Sequence, residues 1–392
     1  MITEEVKGFN DYTGIEARKR EKIKEILIKN FRIYGFEPAE TPIVEFEEFI
    51  KGGNEYDEAV SDIFKLKDKG MRNLALRYEL TFQLKRISKN KKLPYKRYQI
   101  GEVFRDEPIS ENRFRQFTQC DIDVIGSGVN EEAEILVLIS KILKELNIKA
   151  EIQVNNRKLL DSIIKSAGIE NVEFAMREID KLDKQGEDVV KSNLAKFIEK
   201  EKIINLFKML KKSLSAFKKF SGYSEIKELI KKCGNYGVKL DFKPTLARGL
   251  SYYVGNVFEV KTAGVKETIY GGGSYLVNNI SASGISCSLE RLSQLAKIKI
   301  DEKKVLVLSI EQDEKAIKLA EKLRKSGIIT ELWLEKGISK ALEYSNSKNL
   351  GFVIFLGSEE AKKKKFKLRD MKTGKEDMLG EKEIVENLKD CF

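Results

Sequence analysis

The stretch "KRYQIGEVFRDEPISENRFRQFTQCDIDVIG", residues 96–126, constrains the fold more than any other. Two extended runs, "KRYQIGEVFRDEP" and "RFRQFTQCDIDVIG", flank a polar loop and read as a pair of strands. The second ends in "CDIDVIG", where apolar and acidic side chains alternate as in a half-buried strand. The loop sets Arg105, Arg113 and Arg115 among Asp106, Glu107 and Glu111, while Asp121 and Asp123 lie along the return strand. A strand pair is rigid enough to hold an arginine within hydrogen-bonding range of an anion. Phe114 and Phe117 flank the return and offer an aromatic face. A salt-bridged hairpin with no ligand is the alternative reading of this segment taken alone.

The rest of the chain supplies more sheet and covering helices. "GIEARKREKIKEILIKNFRIYGF" (14–36) carries Ile23, Ile26, Leu27 and Phe31 at helical spacing. In "EPAETPIVEF", Pro42 marks a strand start or edge. "DIFKLKDKGMRNLALRYELT" (62–81) reads as a hairpin about "DKG", and "TFQLKRISKN" as a helix. "EEAEILVLISKILKELNI" (131–148) is a strong helix and "KAEIQVNN" a strand. Residues 157–235 are helical and rich in Lys and Glu, like an inserted module. "LARGLSYYVGNVFEVKTAG" and "ETIYGGGSYLV" return to strand patterning, with Arg248 opening a strand. On that reading only one of Tyr252 and Tyr253 shares the surroundings of Arg248. The glycines of "YGGGSY" permit a ligand to approach the backbone. "SLERL" places Arg291 near a helix start. From Lys303, "KKVLVLSI", "GIITELWL", "GFVIFLG" and "KFKLRDM" alternate with helices, which implies a compact α/β domain with a mostly parallel sheet. "KKKK" at 362–365 reads as a solvated run.

Composition then excludes whole classes of chemistry. At 392 residues there is room for two or three domains. No apolar run approaches the length of a membrane helix, and "MITEEVKGFNDYTG" is too polar for a signal peptide. The four cysteines, Cys120, Cys233, Cys287 and Cys391, form no CxxC pair. That argues against zinc and against a disulfide framework, and makes a reducing cytoplasm the expected location. The net charge of +11 favours polyanionic partners such as nucleic acid or phosphorylated ligands. There is no histidine at all, so Ser–His–Asp catalysis, Cys–His catalysis and His-ligated metals are out.

Taken in order, these segments resemble the class II aminoacyl-tRNA synthetases, and within them the histidyl-tRNA synthetase family. "LRYELT" is similar to the family's "LRPEGT", and "GEVFRDE…RFRQFTQCDIDVIG" to its second signature motif. "RGLSYYVGNVFE" and "YGGGSY" resemble its two histidine-specific motifs, and "SLERL" its third signature motif. "VNNRKLLD" and "REIDKLDKQGEDVV" resemble family text leading into and through an inserted helical domain. The resemblance covers nearly the full chain. It implies an α+β fold: an antiparallel sheet flanked by helices (1–155 and 240–302), a helical insertion (156–239) and an α/β anticodon-binding domain (303–392).

What the resemblance implies for function is a histidine–tRNA ligase that uses ATP with Mg2+, histidine and tRNA(His). Glu79, Thr81 and Gln119 match positions that hold the amino acid's α-ammonium. Asp123 and Tyr253 match positions that read the imidazole, and Tyr275 lines the same pocket. Arg105 and Arg248 match the arginines on the α-phosphate, and Arg113 and Arg291 those near the γ-phosphate. Phe117 matches the aromatic stacked on adenine, with Glu107 nearby. The segment about Pro42 resembles the family's interface motif, so a homodimer is expected. Departures from the family pattern are Tyr78, Leu80, Ser251, Ser274, Leu276 and Ser288. They leave a competing reading, a non-catalytic paralogue acting as a histidine-sensing regulatory subunit of ATP phosphoribosyltransferase, against which the retained Arg248 speaks. A stand-alone nucleic-acid-binding protein is a third reading.

Overall fold

The structure is a computed structural model that describes residues 3–52, 62–110, 113–248, 252–265, 267–300, 304–334, 337–363 and 365–391. The chain divides into two compact units, Met1–Ile298 and Lys299–Phe392.

The first unit is built on an eight-stranded sheet. Its strands are β1 (Glu37–Pro38), β5 (Tyr95–Phe104), β6 (Gln116–Ile125), β7 (Glu151–Asn156), β8 (Asp241–Phe242), β9 (Asn256–Lys261), β10 (Tyr270–Val277) and β11 (Ile280–Ser288). The order across the sheet is β1-β5-β6-β11-β10-β9-β7-β8. All pairings are antiparallel except those of the two edge strands, β1 with β5 and β8 with β7. A two-residue turn joins β10 to β11, and Asn278 and Asn279 both take the positive φ it demands. A smaller antiparallel sheet, β2 (Val44–Phe46), β3 (Lys65–Lys67) and β4 (Asn73–Leu76), contains the expected hairpin. "TFQLKRISKN" forms only the single turn Leu84–Ile87.

One face of the large sheet is apolar. Cys120, Ile122 and Val124 of β6 lie in one continuous core with Ile285 and Cys287 of β11. The N-terminal helix, Gly14–Ile33, contributes Ile23, Ile26, Leu27 and Phe31 to that core, the stripe its spacing predicts. The helix Val129–Glu145 is buried almost all round. The helices between Arg157 and Asn235 share this core rather than building one of their own, through residues such as Leu159, Ile163 and Leu229. At about 25 cal/mol per Å² of apolar surface removed from water, each such fully buried aliphatic side chain contributes roughly 1.5–3 kcal/mol.

The second unit carries β12 (Val305–Ser309), β13 (Thr330–Trp333), β14 (Phe352–Leu356), β15 (Phe366–Asp370) and β16 (Glu376–Leu379) in the order β13-β12-β14-β15-β16. The first three strands run parallel, and β15 and β16 extend the sheet antiparallel. Parallel strands covered on both faces read as continuous apolar runs, as "VLVLS" and "FVIFL" do. No helix among the described residues is long and apolar enough to cross a membrane.

Candidate active site

The opposite face of the large sheet is polar and is the floor of a cleft. Register places Arg97, Gln99 and Gly101 of β5 opposite Asp123, Asp121 and Gln119 of β6. Those in turn oppose Gly284, Ser286 and Ser288 of β11. The acidic face of "CDIDVIG" is therefore not solvent-facing, as a half-buried strand would have it. Asp121 and Asp123 are 2% and 3% exposed. What makes this tolerable is Arg97, which is wholly buried and sets Nη2 2.8 Å from Asp123 Oδ2.

A pocket of aromatic hydroxyls closes over Asp123. The Tyr275 hydroxyl donates to Asp123 Oδ1. Tyr252 and Tyr253 pack with ring centroids 4.7 Å apart, and Tyr252 meets Tyr275 edge-on at 5.6 Å. Burial raises all three phenols above their ordinary value, with the Asp123 charge adding to the rise at Tyr275. Gln119 is fixed by donating from Nε2 to Asp121 Oδ2 at 2.8 Å. Glu79 is buried, and its charge is felt by Asp121, Tyr252 and Tyr253. Thr81 lies two residues on, half-buried. The segment "LRYELT" is gripped by its backbone: Leu80 O accepts from Arg97 Nη2 at 2.7 Å and Tyr78 O from Arg105 Nε at 3.1 Å. The side chains of Tyr78 and Leu80, two departures from the family pattern, are buried.

Beside this pocket lies a cleft of about 250 Å³ whose lining includes Arg105, Arg113, Arg248 and Arg291. Arg105 and Arg113 approach Glu107 at 3.7 and 3.4 Å. Arg248 pairs with Glu259 at 2.9 Å, and Arg291 donates from Nη1 to Thr268 O. Burial lowers the Arg291 guanidinium below its ordinary value, and the like charges of Arg113 and Arg105 push the same way. Such crowding of cations is unfavourable unless an anion enters. Phe117 lines the cleft with the Arg105 guanidinium 5.1 Å from its ring. Arg248 reaches toward the first pocket, 6.0 Å from the Tyr253 ring.

Two readings of the sequence are corrected here, that Arg248 opens a strand and that only one tyrosine shares its surroundings. Arg248 does not open a strand; it precedes β9 in a loop and sits at φ +56°, a left-handed conformation uncommon for arginine. Freed from strand alternation, both tyrosines act on it. Burial opposes its charge, but Tyr253, Glu259, Tyr252 and Asp180 together raise the Arg248 pKa. The glycines of "YGGGSY" make room for the protein's own groups: the Arg248 guanidinium lies over Gly271 and the Tyr253 ring over Gly273.

Family comparison gives the same chain order. The histidyl-tRNA synthetase family description matches residues 8–292, and an anticodon-binding-domain description matches 304–390. The chain belongs to the histidyl-tRNA synthetase family. It is 34% identical over 416 aligned positions to histidine–tRNA ligase 1 of Bacillus cereus strain ATCC 10987, covering 96% of this chain and 95% of the relative. The crystal structure of histidyl-tRNA synthetase from Nostoc sp. PCC 7120 is similar over 100% of both chains, with a TM-score of 0.88 and 26% identity. The crystal structure of an ATP phosphoribosyltransferase regulatory subunit/histidyl-tRNA synthetase from Bacillus halodurans shares the fold, with a TM-score of 0.77 at 20% identity over 90% of this chain and 98% of that one.

Two of the remaining departures from the family pattern, Ser274 and Ser288, have structural occupations. Ser274 donates to the buried Glu132, which also accepts from Asn256 Nδ2 at 2.6 Å and Ser283 Oγ at 3.3 Å. Burial raises the Glu132 pKa against those bonds. Ser288 caps the helix Leu289–Leu295, its Oγ accepting from Arg291 N at 3.1 Å. Leu276 is half exposed. Ser251 lies outside the described residues. Sequence reasoning missed Arg97, Asp180, Glu259 and the site role of Tyr252; Asp180 belongs to the helix Val172–Asp180, far along the chain.

Burial drives the Asp121 pKa up to about 8, Arg97 pulling it back and Asp123 adding to the rise. The folded state thus holds a proton that the unfolded chain releases near 3.8, its ordinary value. Folded-state proton uptake makes stability fall as pH rises. The wild-type urea midpoint is therefore expected to decline between pH 4 and pH 8, and Asp121→Asn to flatten that decline. An unchanged pH dependence in the variant refutes the assignment.

Proposed function

We propose that this chain is a histidine–tRNA ligase working in two steps. The histidine carboxylate attacks the α-phosphorus of ATP, pyrophosphate leaves, and histidyl-adenylate forms. A ribose hydroxyl at the 3′-end of tRNA(His) then attacks the adenylate's carbonyl carbon, its proton passes to the adenylate's phosphate, and AMP departs. Both partners of the first step are anions and charge builds on the departing pyrophosphate, so cations fixed around the phosphates lower its barrier. The nucleophile is the substrate's own ionised carboxylate, which removes the need for a general base and suits a chain without histidine.

The observation that carries this reading is the four-arginine cleft beside the buried Asp123–Tyr275 pair. In it, Arg105 and Arg248 take the α-phosphate, Arg113 and Arg291 the γ-phosphate, and Phe117 the adenine with Glu107 beside it. Glu79, Thr81 and Gln119 hold the α-ammonium. Asp123 and Tyr253 engage the two ring nitrogens, with Tyr275 in support; a site built on such bonds rejects side chains that cannot return them. Four arginines around one cleft favour a phosphorylated ligand over the sensing of histidine alone. Magnesium enters with ATP rather than as a resident ion. Residues 1–155 with 240–302 form the catalytic part, 156–239 the helical insertion and 303–392 the anticodon-binding part of a cytoplasmic homodimer.

ATP–pyrophosphate exchange, run with each amino acid in turn, tests the proposal. Exchange is expected with histidine alone, and its absence with histidine refutes the ligase.

A further inference from the structure

We propose that Arg97 is a positioning residue that cancels the charge of Asp123, so that the pocket takes the neutral imidazole of histidine and turns away cationic side chains. This rests on the reading of Asp123 as the ring-binding carboxylate.

Arg97 is among the largest fully buried side chains of the chain, and it stands on the floor of the candidate site rather than in the apolar core. It directly opposes Asp123 across β5 and β6, with Nη2 2.8 Å from Oδ2. The Tyr275 hydroxyl holds the other carboxylate oxygen. One oxygen of Asp123 thus accepts the Tyr275 hydroxyl before any ligand arrives, while the other faces the Arg97 guanidinium as an ion pair and makes no hydrogen bond of its own. Each oxygen keeps a lone pair for a ring N–H.

The charge balance sets what the pocket accepts. The titratable and charged groups facing the pair are Tyr95 and Arg97 from β5, Asp121 and Asp123 from β6, and Tyr275 from β10. Tyr253, ahead of β9, also feels the Asp123 charge, and Arg248, Tyr252 and Glu79 act on Tyr253 in turn. Without Arg97, the buried carboxylates would draw in a cation. With it, a protonated ring or a lysine ammonium meets a guanidinium in a dry site. Leu80 O accepts from the same Nη2 at 2.7 Å, next to Glu79 in the chain. One guanidinium therefore ties the ring-reading carboxylate to the segment proposed to hold the α-ammonium.

Exchange kinetics of Arg97→Met and Arg97→Lys between pH 5.5 and 9 test this. In Arg97→Met the KM for histidine is expected to rise roughly 10–100-fold, as when a residue that orients a ligand-binding group is lost. The KM for ATP should hold. Removing the cation raises the Asp123 pKa, so the acid limb of kcat/KM for histidine should move to higher pH. Arg97→Lys should keep the wild-type limb and recover part of the KM. A wild-type histidine KM and acid limb in Arg97→Met overturn the proposal, as do equal rises in both KM values. If Arg97→Met does not fold, Arg97→Lys decides: a rise in KM confined to histidine supports the proposal, and no rise refutes it. Should the wild type itself show no exchange, the ligase reading fails separately. Calorimetric histidine binding then decides for Arg97. Tighter wild-type binding at pH 8 than at pH 5.5, lost in the variants, is expected; indifference to pH refutes it.

Discussion

Replacing Arg248 by alanine is expected to slow histidine-dependent exchange by about 10²–10³-fold, the effect of removing one preorganised group from the site of charge development. The side chain is held on three sides before substrate arrives. Glu259 anchors Nη1 at 2.9 Å, the Tyr253 ring lies 6.0 Å from the guanidinium carbon, and Gly271 provides the floor beneath it. The positive φ of the residue is a local cost that the surrounding contacts must overcome, and such costs concentrate at functional sites. Arg248→Lys retains the charge but not the planar fork, so it should recover only part of the rate. Thermal melting separates this from unfolding: Glu259 loses its nearer cation but keeps Lys261 at 3.6 Å and the Thr268 hydroxyl at 3.0 Å, so the fold should hold. An exchange rate near wild type in a folded Arg248→Ala protein removes Arg248 from the reaction.

How much of this site was legible in the sequence depended on whether the signal was local. The alternation of "CDIDVIG" located a strand, and β6 follows. The fate of its acidic face was not legible, because it depends on which residues of β5 stand opposite. "KRYQ" reads only as the start of a strand, and nothing in it singles out Arg97 until register pairs that residue with Asp123. The two-tyrosine reading failed for a related reason. A left-handed residue at 248 breaks the alternation, and nothing in "LARGLSYY" announces it. Asp180 and Arg248 are separated by 68 positions and meet only through tertiary packing. Ser274 and Ser288 stood out only as departures from a pattern. Their hydrogen bonds, one to Glu132 and one as a helix cap, became visible with the fold.

Adjacent glycines of β10 should fail in different ways, because strand neighbours point to opposite faces. A Cβ on Gly271 would fall 1.9 Å from Arg248 Nη1, so Gly271→Ala displaces the guanidinium by more than an ångström. That atom ends a flexible side chain, which can move at little cost to the fold. The expected result is a melting temperature close to wild type with exchange lowered about as far as in Arg248→Ala, since misplacement by about 1 Å costs on the order of 10²-fold. A Cβ on Gly272 points to the other face and would fall 2.1 Å from Gly284 O and 2.7 Å from Ile285 Cα, both backbone atoms of the paired strand β11. Backbone in the centre of a sheet has nowhere to go. Gly272→Ala is therefore expected to lose about 3 kcal/mol or more of stability, the upper range for overpacking. Urea unfolding and exchange measured on both variants check the contrast. If Gly271→Ala keeps full activity, the guanidinium does not need its place over the glycine. If Gly272→Ala unfolds at the wild-type urea concentration, the two strands are not packed as closely as these distances require.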